Sequence, residues 1–393
     1  MEIAVIGGGP AGLFFARRVK RLQPDWRVRL FEQNARDATY GFGVGFLGQS
    51  LKFIRLADPP VMEDIVNAAH ANSTTGFVHR GETVLVNAGS DSEAVAIERI
   101  ALLHILQRRC EEVGVELHFE SRVEDIESMR RAVDVLVGAD GVNSRVRTLY
   151  REKFGSTVEP QRNRFAWYGT EYLFDPPLMI FEQAEIGLVI AHTHQYCANR
   201  SGVAIECDPP TWERGGFDRM TPEEMDAKFE EIFASHLGGK PLLPQPVRVF
   251  HPAIVRNERW SVDNVVLIGD AVHTVHPSIG SGTRVGMRDA SVLAEGFGEH
   301  GADLESVFSW YRTNRQFSAD LFQRAAIQSI KWYETLEDRL HFDPVTMAFS
   351  YMLRTGRVDY ARLREADPEF VRRYESLPLP ESIGLESLRK GAA

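Results

Sequence analysis

The period of the apolar positions changes along the chain, and each change marks an element. Residues 4–6 are apolar without interruption, residues 13–22 carry helical spacing, and residues 28–31 return to a strand. Residues 1–31 therefore read as one β-α-β unit. Ile97, Ile100, Leu103 and Leu106 recur at helical spacing within residues 97–114, residues 115–119 alternate as a strand, and residues 133–137 read as a further buried strand. From about residue 164 to residue 249 the character shifts to short strands, such as 187–191 and 201–206, separated by turn residues. One amphipathic helix, at roughly residues 222–237, interrupts them. Residues 264–268 restore a buried strand, a long helix follows Gly282, and the pattern is mainly helical from Leu304 to a polar tail.

This order predicts an α/β protein with a Rossmann-like nucleotide fold, a mainly antiparallel inserted sheet domain and a helical C-terminal part. The nucleotide domain is expected to be discontinuous, over residues 1–75, 96–160 and 255–320. The substrate sheet takes residues 76–95 and 161–254, and the helical region takes residues 321–393.

Composition narrows the class. With 393 residues, 44% hydrophobic and 25% charged, the chain is ordinary globular protein. A net charge of −10 argues against a nucleic-acid surface. Cys110, Cys197 and Cys207 are scattered without C-x-x-C spacing. Neither disulfides nor a metal site is expected, and all three read as small core residues in a reducing compartment. The first strand begins at residue 2 or 3, leaving no room for a signal peptide, and no apolar run approaches membrane-spanning length. The expectation is a soluble, cytoplasmic monomer or homodimer with no membrane partner.

The chemistry begins with Ala4-Val-Ile-Gly-Gly-Gly-Pro-Ala-Gly12, a glycine turn between strand and helix. Gly7 makes the turn, Gly9 lets the backbone approach a phosphate, Pro10 and Ala11 open the helix, and Gly12 lets it pack on the sheet. Glu32, followed by Gln33, ends the second strand where an acid binds a ribose hydroxyl. A dinucleotide site is expected here. Asp140-Gly-Val-Asn-Ser-Arg-Val-Arg147 follows another strand, where Asp140 or Ser144 is placed to cap a helix. Gly269-Asp-Ala-Val-His273 follows a third and runs into Pro277-Ser-Ile-Gly-Ser-Gly282. Gly43-Val-Gly-Phe-Leu-Gly48 also fits G-x-G-x-x-G, but no β-α-β unit surrounds it, so it reads as a mobile glycine-rich loop.

In this order the motifs resemble those of the group A flavoprotein aromatic hydroxylases. The resemblance implies bound FAD and transient NADH or NADPH, which has no domain of its own. It places Asp270 at the ribityl side of FAD, Gly280, Ser281 and Gly282 at the flavin pyrimidine with Thr283 opening the helix, and Arg99 at the pyrophosphate. Asp140 and Gly141 take a pyrophosphate or structural role, Gly45 lies beside the flavin ring, and Val123 and Gly269 complete the cofactor set. The implied reaction uses O2 to hydroxylate an aromatic ring through a flavin C4a-hydroperoxide.

Gly41-Phe-Gly-Val, Trp167-Tyr-Gly-Thr170 and Leu353-Arg-Thr-Gly-Arg-Val-Asp-Tyr360 resemble a subgroup acting on aryl-CoA thioesters such as salicylyl-CoA, hydroxylated to gentisyl-CoA. A more distant likeness is to the tryptophan hydroxylase of the violacein pathway. A free aromatic or indole-like substrate is the alternative, and a non-hydroxylating flavoprotein is a third reading. Phe42 and Pro277 stand where the subgroup implies tryptophan and phenylalanine.

Candidate substrate-side residues are Pro277, whose loop would position the oxygen species, and His192, His194 and His276 as bases for a phenol. Tyr168 and Tyr196 are expected as ring-contact or hydrogen-bonding partners. His192 and His194 share a strand face, where sheet histidines satisfied by neighbours are the other reading. His273 is expected to brace the Gly-Asp loop. Arg354, Arg357 and Arg362 read either as CoA-phosphate contacts or as solvated charges. The aromatic run from Phe308 to Trp332 reads as core packing.

Overall fold

The computed structural model describes residues 1–72, 74–87, 94–280 and 282–378. Its first sheet has six strands in the order Ser261–Val262, Val265–Leu267, Val135–Gly138, Glu2–Ile6, Arg27–Phe31, Glu116–His118. All neighbours run parallel except the Ser261–Val262 edge. A parallel sheet is covered on both faces, and Ile3, Ala4, Val5, Val135, Leu136 and Val137 are accordingly solvent-free.

The helices Pro10–Leu22 and Gly282–His300 cross closely because the contact uses residues without bulk. A Cβ placed on Gly286 would lie 3.2 Å from the Gly269 Cα and 3.3 Å from the Ala11 Cβ. The helix Arg99–Glu111 packs beside the first helix, and Cys110 donates its Sγ–H to the Leu13 carbonyl at 3.2 Å. Ile97, expected in this helix, belongs to the strand Ala94–Glu98.

The second sheet has seven strands in the order Leu242–Phe250, Arg164–Thr170, Arg200–Cys207, Gly187–Cys197, Leu178–Ala184, Thr74–His79, Glu82–Asn87. It is antiparallel except where Leu178–Ala184 meets Thr74–His79. Alternation divides it into two faces. On the outer face Ala166, Val189, Ala191, Val203 and Ile205 pack under the helices Pro209–Gly215 and Pro222–Ile232. The first of these helices was not expected; Asp208 caps it by accepting the Thr211 N–H. On the inner face Phe77, Phe181 and Ile190 pack against Tyr333, Phe349 and Tyr374. These come from the helix Leu304–Glu334 and the C-terminal helices Pro344–Leu353 and Pro368–Glu375.

The glycine-rich segment expected as a loop instead contains the strand Gly43–Leu47. It pairs antiparallel with Ala94–Glu98, which in turn pairs with His70–Asn72. Two other expectations change. Phe317, in the aromatic run, is 71% exposed rather than core, and Cys197 is half-buried while Cys110 and Cys207 are buried. Among the described residues no helix is long and apolar enough to cross a membrane.

Candidate active site

The first turns of two helices, Pro10–Leu22 and Gly282–His300, pack together at Ala11 and Gly286. The turn before the first is held open by exclusion. Gly7 has φ +114°, and a Cβ there would stand 2.2 Å from the Ala139 carbonyl oxygen. A Cβ on Gly12 would stand 2.1 Å from the Gly7 carbonyl oxygen. At Gly9, Gly45, Gly141 and Gly280 an added Cβ would meet nothing within 4 Å, so these backbones border open space. Glu32 is oriented by the Gly8 N–H at 2.7 Å on one oxygen and by the Asn34 N–H at 2.9 Å on the other. Gln33 beside it is exposed, and the Val123 carbonyl accepts from Arg145 at 2.8 Å.

Asp140 faces its own helix. Its carboxyl group accepts from the Arg145 N–H at 2.7 Å and the Val146 N–H at 3.2 Å, with Ser144 Oγ donating to the other oxygen. Arg147, to which the sequence assigned no task, joins two motifs by donating to the carbonyls of Val142 and Ala271 at 2.5 and 3.2 Å. Asp270 keeps an exposed surface, yet removal of its carboxyl group from water raises its pKa against the opposing field of His273, Arg99 and Arg147. Arg99 reaches the Thr283 hydroxyl at 3.4 Å, and among the described residues its buried Nε has no hydrogen-bond partner. Ser281 lies outside the described residues. Open glycine backbone, a helix N-terminus and a guanidinium with an unsatisfied buried Nε together fit an anionic dinucleotide.

Behind Asp270 lies a buried lock that the sequence did not reveal. Asp289 accepts the Gly269 N–H at 3.1 Å and the Arg315 Nε–H at 2.6 Å, and His273 Nε2 lies 3.0 Å from its second oxygen. Burial pushes the Asp289 carboxyl up, but His273 and Arg315 outweigh it and leave its pKa below the usual value.

The strand Gly43–Leu47 and its lead-in seat on the inner face of the second sheet. A Cβ on Gly43 would meet His194 Nε2 and the Tyr196 Cβ at 2.6 Å, and a Cβ on Gly169 would meet the Phe42 ring at 2.7 Å. Gly41 donates its N–H to Gln245 Oε1 at 2.7 Å. His194 is thus covered by Gly43; burial lowers its pKa to about 4, and its Nε2 finds no partner among the described residues.

His192, on the same face, has its Nε2 3.0 Å from Glu206, whose other oxygen accepts from Asn163 at 2.8 Å. His276 sits edge-on to Phe165 at 5.4 Å, immediately before the half-buried Pro277, and burial lowers its pKa to about 4. Glu206 and Asn163 were not foreseen.

Tyr168 is a correction. Its parity on the strand Arg164–Thr170 puts it on the outer face, where its hydroxyl donates to Asp226 at 2.9 Å and its ring meets Phe229. Phe165 and Trp167 are the inner-face aromatics of that strand, each packed on Phe250. The three tail arginines also separate. Arg354 stacks on Tyr351 at 3.5 Å and donates to the Ser329 hydroxyl, Arg362 is exposed, and Arg357 lies over the Phe322 ring at 4.5 Å.

Comparison with known proteins agrees with this architecture. The family described as FAD binding domain matches residues 1–321. The chain is 34% identical to salicyloyl-CoA 5-hydroxylase of a Streptomyces species, covering 96% of this chain and 76% of that protein. It is 29% identical to protodeoxyviolaceinate monooxygenase of Chromobacterium violaceum, covering 90% and 94% respectively. Among solved structures, p-nitrophenol 4-monooxygenase of Pseudomonas putida DLL-E4 superposes with a TM-score of 0.70 at 17% identity, over 94% of this chain and 97% of that one, a likeness of fold. NAD(P)H is the typical reductant of such enzymes. The chain belongs to the FAD binding domain family and is an FAD-dependent monooxygenase that hydroxylates an aromatic ring.

Proposed function

We propose that the ring hydroxylated belongs to an aryl-CoA thioester, with salicyloyl-CoA the first candidate. The observation that carries this reading is the 34% identity to salicyloyl-CoA 5-hydroxylase across nearly the whole chain. A structural feature supports it: the exposed Arg357 holds its guanidinium 4.5 Å from the Phe322 ring, a cationic flank suited to a phosphorylated carrier.

Bound FAD supplies the electron transfer from NAD(P)H and the activation of oxygen. The chain's residues do the rest. The Gly7–Gly9 turn and the N-terminus of Pro10–Leu22 favour the pyrophosphate, with Arg99 as its cation. Glu32, held by Gly8 and Asn34, would accept from a ribose hydroxyl, and Asp270 from the ribityl side. Gly280 and Gly282 would offer backbone to the flavin pyrimidine, beside a helix N-terminus that favours negative charge. Phe165, Trp167, Phe42 and Tyr196 exclude water from the inner face of the sheet, and Pro277 shapes its edge.

Stopped-flow reduction of the flavin by NADH and by NADPH tests the substrate. Salicyloyl-CoA is expected to accelerate reduction strongly, while salicylate, indole and tryptophan leave it unchanged. Acceleration by indole or tryptophan with no response to the thioester overturns the reading. Arg357→Ala is expected to raise the KM for the thioester about tenfold at unchanged kcat, the signature of lost uniform binding.

A further inference from the structure

A carboxyl group out of water costs several kcal/mol unless donors hold it, so a buried glutamate on a substrate-facing wall calls for a reason. Glu206 is 0% exposed, while the His192 side chain that it contacts keeps 17% exposure. Asn163 fixes one carboxyl oxygen and His192 Nε2 approaches the other. Phe165 and Tyr333 flank the His192 ring, with centroids 6.1 and 5.5 Å away. Phe165 in turn touches His276, the residue before Pro277. The pair therefore stands one ring away from the loop that leads into Gly282–His300.

We propose that Glu206, fixed by Asn163, holds the proton of His192 on Nε2 and leaves Nδ1 as acceptor for a phenolic hydroxyl of the substrate. This rests on the aromatic-hydroxylase reading and is independent of the thioester. The substrate O–H bond breaks, the proton bonds to Nδ1, and the electron pair stays on oxygen, enriching the ring for hydroxylation. Glu206 stabilises the imidazolium so formed through the Nε2–H. His192 touches the substrate; Glu206 and Asn163 are positioning residues.

The titratable groups facing this pair are His276, His194 and Tyr333, with Tyr351 and Arg354 behind Tyr333. Burial holds His276 and His194 near 4, so both are uncharged at neutral pH. Arg354 is engaged on Tyr351. Among the described residues, His192 brings a ring nitrogen to 3.0 Å from the Glu206 carboxyl group.

The test uses holoenzyme, with 4-nitrophenol and salicyloyl-CoA as probes, and reads the phenolate absorbance of the bound probe against pH. Wild type is expected to bind the probe as its anion at pH values where the free probe is neutral. Glu206→Gln and His192→Phe are expected to bind it neutral, with half-ionisation displaced upward by about one pH unit or more, a tenfold change in ionisation constant. His192→Gln, which keeps a polar side chain, is expected to match His192→Phe. Unchanged half-ionisation in variants that retain flavin and melting temperature overturns the proposal, because a structural brace alone would leave the probe's ionisation untouched. Anionic binding of 4-nitrophenol by wild type, lost in the variants, with no response of flavin reduction to salicyloyl-CoA supports this pair and sinks the thioester reading.

Discussion

Two neighbouring glycines separate folding from binding. An added methyl at Gly12 collides with the Gly7 carbonyl oxygen, whereas one at Gly9 enters open space. Gly12→Ala is therefore expected to lower both the melting temperature and the flavin content of purified protein. Gly9→Ala is expected to leave stability within about 0.5 kcal/mol while releasing flavin on dilution. Equal stability losses would show that the two glycines share one task. These glycines and Glu32 were legible because everything they need lies within one β-α-β unit. Glu206 was not, since its partners are 14 and 43 positions away and no local period connects them. Tyr168 was misplaced for a related reason: alternation shows that two faces exist, and only packing shows which is covered by the helices Pro209–Gly215 and Pro222–Ile232.

Between elements, Asp289 is the joint that ties Gly282–His300 to Leu304–Glu334 and to the Gly269 turn. Arg315→Met removes one partner of a buried pair and is expected to cost about 3–5 kcal/mol, measured by denaturant unfolding. The Asp289 pKa lies below its ordinary value in the folded chain. Its contribution is therefore full above the ordinary carboxylate range, about pH 4, and is lost as pH falls through the folded value. At this scale the long helix after Gly282 was readable from its spacing. The strand Gly43–Leu47 was hidden, because alternating glycines have low strand propensity and the partner strand lies some fifty positions on.

For the molecule as a whole, the fold is a parallel sheet beside a second sheet whose outer face is closed by helices and whose inner face closes the site. Burial of His276 on that inner face has a global signature. Its pKa is near 4 when folded against about 6.5 when unfolded, so the unfolded chain binds the extra proton between these values. Stability is expected to fall as pH is lowered from about 6.5 to 4. Calorimetry should show a shallower decline for His276→Phe; an identical decline would assign it to other groups. The discontinuous order of strands was visible in the chain because each return to the parallel sheet begins with a short apolar run. The closure of the inner face by the C-terminal helices was not, since an amphipathic helix does not state which surface it covers.

The alternation of the second sheet has a consequence for how such a protein changes over time. Positions 165, 167 and 169, 192, 194 and 196, and 202, 204 and 206 form one parity class facing the site, while their neighbours Ala166, Val189, Ala191, Val203 and Ile205 carry the outer core. Mutational drift confined to the first class can explore new aromatic substrates while that outer core stays as it is, so evolvability and robustness fall on opposite faces of one sheet.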